Sequence, residues 1–132
     1  MTNRLTVMLF AIAGVLATTS TRADEGSIKI VVDYATHRTI TVPCSGKLSK
    51  WNYGSDLASC DVARAFDFVT LPDKSHPKPM KIKCSGRGTT IYVGGGVRQC
   101  YTAGFKDPDD LALCQMVNIR ADGTYKECVV GR

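Results

Sequence analysis

Six cysteines, Cys44, Cys60, Cys84, Cys100, Cys114 and Cys128, constrain the folding of this chain more than any other feature. All of them follow an N-terminal stretch with the pattern of a secretory leader. Arg4 supplies a positive start, Val7–Ala17 (VMLFAIAGVLA) is an apolar run, and Thr21-Arg22-Ala23 places small residues at −3 and −1 of a cleavage site. That run is too short to cross a hydrocarbon core of ~30 Å as a helix. The pattern predicts a signal peptide over residues 1–23 and one exported domain over residues 24–132, with no membrane attachment after cleavage. An even number of cysteines behind such a leader implies three disulfides, formed in an oxidising compartment. The intervals of 16, 24, 16, 14 and 14 residues include no C-x-x-C pair, and His37 and His76 are the only histidines. From that pattern neither a metal site nor a cofactor is expected.

Charge narrows the partners. The 132-residue chain has 17 Lys and Arg against 12 Asp and Glu, a formal charge of +5. Arg4 and Arg22 belong to the leader, so the exported part is only mildly basic, well below a dedicated nucleic-acid binder. At 44% hydrophobic residues the composition is globular, not disordered. A domain of this size buries a modest core, so crosslinks worth ~2–4 kcal/mol each weigh heavily.

Ser27–Tyr34 (SIKIVVDY) alternates apolar and polar residues, and Thr39–Cys44 (TITVPC) is a second β-branched run. Together they predict an N-terminal hairpin. Ser45–Gly54 reads as loop. Ser55 or Asp56 offers an N-cap for a helix over Leu57–Val69, with Ala58, Val62, Ala65, Phe66 and Val69 on one stripe and Pro72 as the stop. Asp73–Pro79 holds two prolines and is irregular. Met80–Cys84, Thr89–Val93 and Val97–Thr102 read as strands, broken by Ser85–Gly88 and by the glycine triplet Gly94–Gly96. Leu113–Arg120 and Thr124–Val130 form the clearest hairpin, through Ala121-Asp122-Gly123. The expected class is α+β: an N-terminal β-hairpin, one α-helix, then an antiparallel sheet, stapled by three disulfides.

One segment is a candidate binding surface. Lys74, His76, Lys78, Lys81, Lys83 and Arg87 fall within fourteen residues without an intervening acid, which suits a phosphate or an acidic partner. The plainer reading is the solvated side of a strand, where lysines protect a sheet edge. His76, between Ser75 and Pro77, is expected to be exposed. Gly94–Gly96 has no helix behind it to meet an anion, so a turn is expected there. No residues are assigned a catalytic role.

The layout of hairpin, helix and terminal strands resembles the fold of small microbial guanyl-specific ribonucleases, and more closely the ribonuclease-like secreted effectors of plant-pathogenic fungi. The residues that carry this are Asp56–Phe66 as the helix, Ser75-His76-Pro77 as a histidine-bearing loop, Tyr101-Thr102-Ala103-Gly104, and the hairpin Leu113–Val130. The resemblance spans about residues 28 to 130 and lies in layout alone. Such enzymes place a glutamate on the strand after that loop and a second histidine near the C-terminus. Here the strand is Met80–Cys84, and no histidine follows His76. Only His76 and Arg120 carry over, and two groups do not rebuild an acid–base pair. In a wider sense the chain resembles small cysteine-rich secreted fungal effectors.

The function this implies is a secreted, virulence-associated effector that binds a host protein and is not an enzyme, acting outside the producing cell or after uptake into host cells. The alternatives are an extracellular ribonuclease or toxin acting on RNA, and a secreted inhibitor or antimicrobial protein. Weak RNA binding and a monomeric state are expected. Six cysteines allow 15 pairings. The expected set is Cys44–Cys128, joining the first hairpin to the last strand, Cys100–Cys114, closing the Ala103–Asp110 loop, and by elimination Cys60–Cys84.

Overall fold

Period-two burial is clearest at Ser27–Asp33, Phe66–Val69 and Lys81–Cys84. The computed structural model describes residues 26–52, 54 and 56–131, so the leader Met1–Ala23 and the cap candidate Ser55 lie outside the described residues. Among the described residues there are ten strands and no helix: β1 (Ser27–Asp33), β2 (Arg38–Pro43), β3 (Ser49–Asn52), β4 (Asp56–Cys60), β5 (Phe66–Val69), β6 (Lys81–Cys84), β7 (Thr89–Tyr92), β8 (Val97–Tyr101), β9 (Cys114–Ile119) and β10 (Tyr125–Val130). They form a four-stranded sheet in the order β2-β1-β5-β6 and a six-stranded sheet in the order β10-β9-β8-β7-β4-β3. The protein is therefore all-β, and the expected α+β class is corrected.

The helix expected over Leu57–Val69 is two strands in different sheets. Its stripe put Ala65 inside and Phe68 outside, whereas Ala65 is exposed and Phe68 is 0% exposed. Phe66, Phe68 and Thr70 are buried at alternate positions while Asp67 faces solvent. Two phenylalanines at i and i+2 fit a half-buried strand far better than two alanines fit a helical face. Phe68 lies opposite Ile82 of β6, and both are fully buried. Ser49–Asn52, expected as loop, is an edge strand of the larger sheet, opposite β10.

Both sheets feed one core. Ile28, Ile30 and Val32 of β1 and Phe68 of β5 meet Ile91, Val97, Val117, Ile119 and Tyr125 from the other sheet. The chain passes between sheets after β2, after β4 and after β6. These crossings gather at one end, where Ala63 N–H donates to Pro43 O (2.9 Å), Ser45 N–H to Asp61 O (2.7 Å) and Val62 N–H to Gly86 O (2.7 Å).

Disulfide pairing follows the crossings. The bonds are Cys44–Cys60, Cys84–Cys100 and Cys114–Cys128, each joining neighbours in the cysteine order. The expected set Cys44–Cys128, Cys100–Cys114 and Cys60–Cys84 is thus corrected in full. That set requires Cys60 to sit on a helix, where β4 stands instead. On a strand that ends at a crossing, Cys60 instead meets Cys44, where the preceding crossing begins. The first two bonds tie one sheet to the other, and the third spans the adjacent strands β9 and β10. The protein is a cysteine-rich, disulfide-bonded β-sandwich, a chemistry compatible with an extracellular setting. Among the described residues no helix is long and apolar enough to cross a membrane.

Candidate functional site

A groove opens where the two sheets part. β1 and β5 run parallel but are in register only at Asp33 and Val69, so among the described residues the first half of β1 has no strand of its own sheet on that side. The turn after β7 approaches it instead, with Val31 N–H donating to Gly95 O at 2.8 Å. Gly95 is required there: its φ is +98°, and a Cβ would stand 2.8 Å from Lys29 O. The opposite wall is β3, β4 and β7, paired through Trp51 and Leu57 and through Leu57 and Tyr92. The space enclosed is about 670 Å³. Ile28, Leu57 and Ile91 are buried in its lining, while Trp51 (43% exposed) and Val93 (73%) stand open to solvent. Lys29 and Lys50 are exposed along it, and Asp56 accepts from Asn52 Nδ2 at 2.7 Å.

A second concavity, of about 240 Å³, lies beside β10 and is lined by Asp107, Asp109, Asp110 and Tyr125. Tyr125 Oη donates to Asp107 Oδ1 at 2.7 Å. Burial first, then this hydrogen bond and the surrounding acids, push the Tyr125 hydroxyl above the usual tyrosine range. Asp107 shows the converse balance. Burial pulls its carboxyl up, but hydrogen bonds from Tyr125 and from the Asp110 and Asp109 backbone outweigh it and hold the group below the usual carboxylate range. Arg120 is tied to Tyr125 from outside the lining, donating through Nη1 to Tyr125 O (2.8 Å), Thr124 Oγ1 (3.3 Å) and Asp73 Oδ2 (3.4 Å).

His76 packs against two lining residues of this hollow, Asp109 and Tyr125, and not on a basic surface. Its side chain is only 13% exposed, a correction to the expected exposure, and its ring stands edge-on to Tyr125 at 5.0 Å. Nε2 lies 3.2 Å from Asp109 Oδ2 and Nδ1 3.6 Å from Asp73 Oδ1. His76 and Arg120, the two residues carried over from the ribonuclease resemblance, thus meet at Asp73. The helix on which that layout leaned is absent, since Asp56–Phe66 is β4, a crossing and the start of β5.

The remaining expected binding residues are dispersed. Lys81 and Lys83 project from β6, an edge strand, and Lys81 Nζ lies 3.8 Å from Asp67 Oδ2. Arg87 sits over the Tyr101 ring at 4.7 Å. Lys74 and Lys78 are exposed in the loop before β6. His76 makes its contacts with acids and Tyr125, with none to these cations. The groove residues Trp51, Val93, Lys29 and Lys50 escaped the sequence reading. Their one local signal was a tryptophan in a stretch expected to be polar loop. Compared with protein families, curated proteins and solved structures, the chain matches none of them.

Proposed function

We propose that this is a secreted, non-catalytic binding protein that acts on a target protein of another organism, in the manner of small cysteine-rich effectors. The observation that carries the reading is the groove. It is preformed, because the Cys44–Cys60 bond anchors the end of β4, one of its walls. Covering Trp51 and Val93 would gain roughly 25 cal/mol for each Å² of apolar surface removed from water. A tryptophan at such a position is a typical anchor of protein interfaces. The leader pattern and the three disulfides support action outside the producing cell.

The test uses the disulfide-bonded protein as secreted, immobilised and exposed to extract from the organism it encounters, beside a Trp51→Glu, Val93→Glu variant. Both positions are solvent-exposed, so the variant keeps its core. The expected result is a discrete protein retained by the wild type and lost by the variant. Cleavage of single-stranded RNA that disappears in His76→Ala would overturn the reading. So would unaltered virulence after gene deletion combined with growth inhibition of rival microbes by the purified protein.

A further inference from the structure

The wall of the groove formed by β1 offers hydrogen-bonding groups as well as apolar surface. Antiparallel neighbours alternate between pairs that exchange hydrogen bonds and pairs that do not. Cys44 N–H donates to Gly26 O, which puts Gly26, Ile28 and Ile30 in the bonded set facing β2. Val31 N–H turns the other way, to Gly95 O. Ser27 and Lys29, two and four residues earlier, therefore aim their N–H and C=O groups away from β2 as well. On that side β5 pairs only with Asp33, and the Gly95 turn takes only Val31. Lys29 O lies against Gly95, and among the described residues the peptide groups of Ser27 and the Lys29 N–H are left at the groove as an unfinished sheet edge.

Building on the binding role proposed above, we infer that the groove takes an extended segment of the partner as an added strand on β1, with apolar residues alternating with Asp or Glu. Strand addition draws affinity from main-chain hydrogen bonds and specificity from alternate side chains. One set of side chains would enter the groove toward Leu57 and Ile91. The other set would point outward beside Lys29, whose neighbours on the same face lie within cross-strand reach. Lys29 and Lys50 have no acidic partner within 4.0 Å among the described residues, whereas Lys81 has Asp67. A second copy of the chain fits worse. Three of its edge strands, β2, β3 and β6, would bring Arg38, Lys50, Lys81 or Lys83 against Lys29, and like charges across strands are destabilising. The fourth, β10, brings Glu127 already bonded to Asn118 Nδ2 at 2.8 Å and flanked by Lys126.

Trp51 is the only tryptophan, so its fluorescence reports this site alone. The probe is acetyl-Val-Glu-Val-Glu-Val-amide, titrated into the intact disulfide-bonded protein beside two controls. One control has lysines for glutamates and the other has methylated peptide nitrogens. The acidic peptide should give a saturable Trp51 shift, with both controls at least tenfold weaker, and Lys29→Glu should reverse the charge preference. Binding of the N-methylated peptide within twofold, equal binding of the lysine peptide, or no shift at millimolar peptide would overturn the inference. Concentration-dependent dimerisation of the protein alone that quenches the peptide response would overturn it in favour of a second copy. A target lost by the Trp51→Glu, Val93→Glu variant yet undisturbed by saturating acidic peptide would sink strand addition and leave the binding role intact.

Discussion

The groove and the hollow are concavities of opposite kinds. In the hollow, Tyr125, Asp107, Asp109, Asp73, Arg120 and His76 bond or pack against one another across three segments of chain. Most charged and polar groups there are matched internally, with the buried His76 Nδ1 left without a hydrogen bond among the described residues. The cluster fastens the loop before β6, the loop before β9 and the strand β10. In the groove the balance is reversed: apolar rim residues are open, and Lys29 and Lys50 have no acidic partner among the described residues. Buried polar groups stabilise a fold only when satisfied, and satisfied groups have little left for a ligand. Exposed apolar surface and an open strand edge stabilise nothing until covered. On the proposed binding role, stability and recognition fall in different places, a separation that substitutions in each region can break.

The largest effect is expected at the joint that fixes both regions to one frame. Tyr34 leaves the end of β1, lies over Gly123 in the β9–β10 turn, and accepts from Val97 N–H at 2.7 Å. Gly123 has φ +94°, and a Cβ would fall 2.5 Å from the Tyr34 ring. Gly123→Ala should cost about 3 kcal/mol or more, from combined backbone strain and overpacking. Urea unfolding would measure it. The comparison breaks if hollow and groove then unfold at separate midpoints instead of together.

Alkali attacks the same joint by a different route. Burial pushes the Tyr34 hydroxyl up to about 12 from an ordinary 10.0, against the Val97 hydrogen bond that lowers it. A raised folded value means the contribution is fully present below pH 10 and is lost as pH climbs from there toward 12. The expected loss over that window is on the order of 2 kcal/mol. Tyr34→Phe should be less stable at neutral pH but show a smaller decline from Tyr34's window. An unchanged alkaline slope in that variant would remove Tyr34 from the account.

Why the joint and the hollow were hard to foresee is a matter of range. Alternation, β-branched runs and turn residues are local, and they mark β1, β2, β6, β7, β8, β9 and β10 within a residue or two. The Asp122-Gly123 turn was equally local, with Thr124 N–H donating to Asp122 Oδ1 at 2.9 Å. The crossings were not, because Cys44, Cys60 and Gly86 come together only through the path between sheets. Helical and strand periods both fit Ala58–Val69 over a few residues, and only the second sheet decides between them. His76 looked exposed because its loop is polar, yet the ring is covered by Tyr125, far along the chain.

Within the hollow, His76→Ala removes the edge contact on Tyr125 and should cost about 1–2 kcal/mol by thermal unfolding. Tyr125→Phe, which strips Asp107 of its hydroxyl donor, should cost about 1 kcal/mol. Asp107 also sets an acid limb. Its depressed carboxyl contributes stability that is present above its ordinary value of 3.8 and is lost as pH falls below it. Asp107→Asn should flatten that limb while leaving peptide binding in the groove unchanged. Coupled loss of groove binding would show that the two regions are not separate.

The smallest stability change is expected where the recognition effect is greatest. Trp51 and Val93 are large apolar side chains at exposed positions, Trp51 on an edge strand and Val93 just past β7, so truncating them opens no cavity. Solvent-exposed substitutions of this kind fall within about 0.5 kcal/mol. Trp51→Ser with Val93→Ser should therefore unfold at nearly the wild-type urea midpoint. Their loss matters in the bound state, where an anchoring tryptophan can be worth 2 kcal/mol or more, equivalent to roughly thirtyfold in affinity. Isothermal titration of the captured target against this pair would read it directly. A double variant that binds as well as wild type would place recognition elsewhere on the molecule. One that unfolds several kcal/mol more easily would show that the groove, like the hollow, is part of what holds the sheets together.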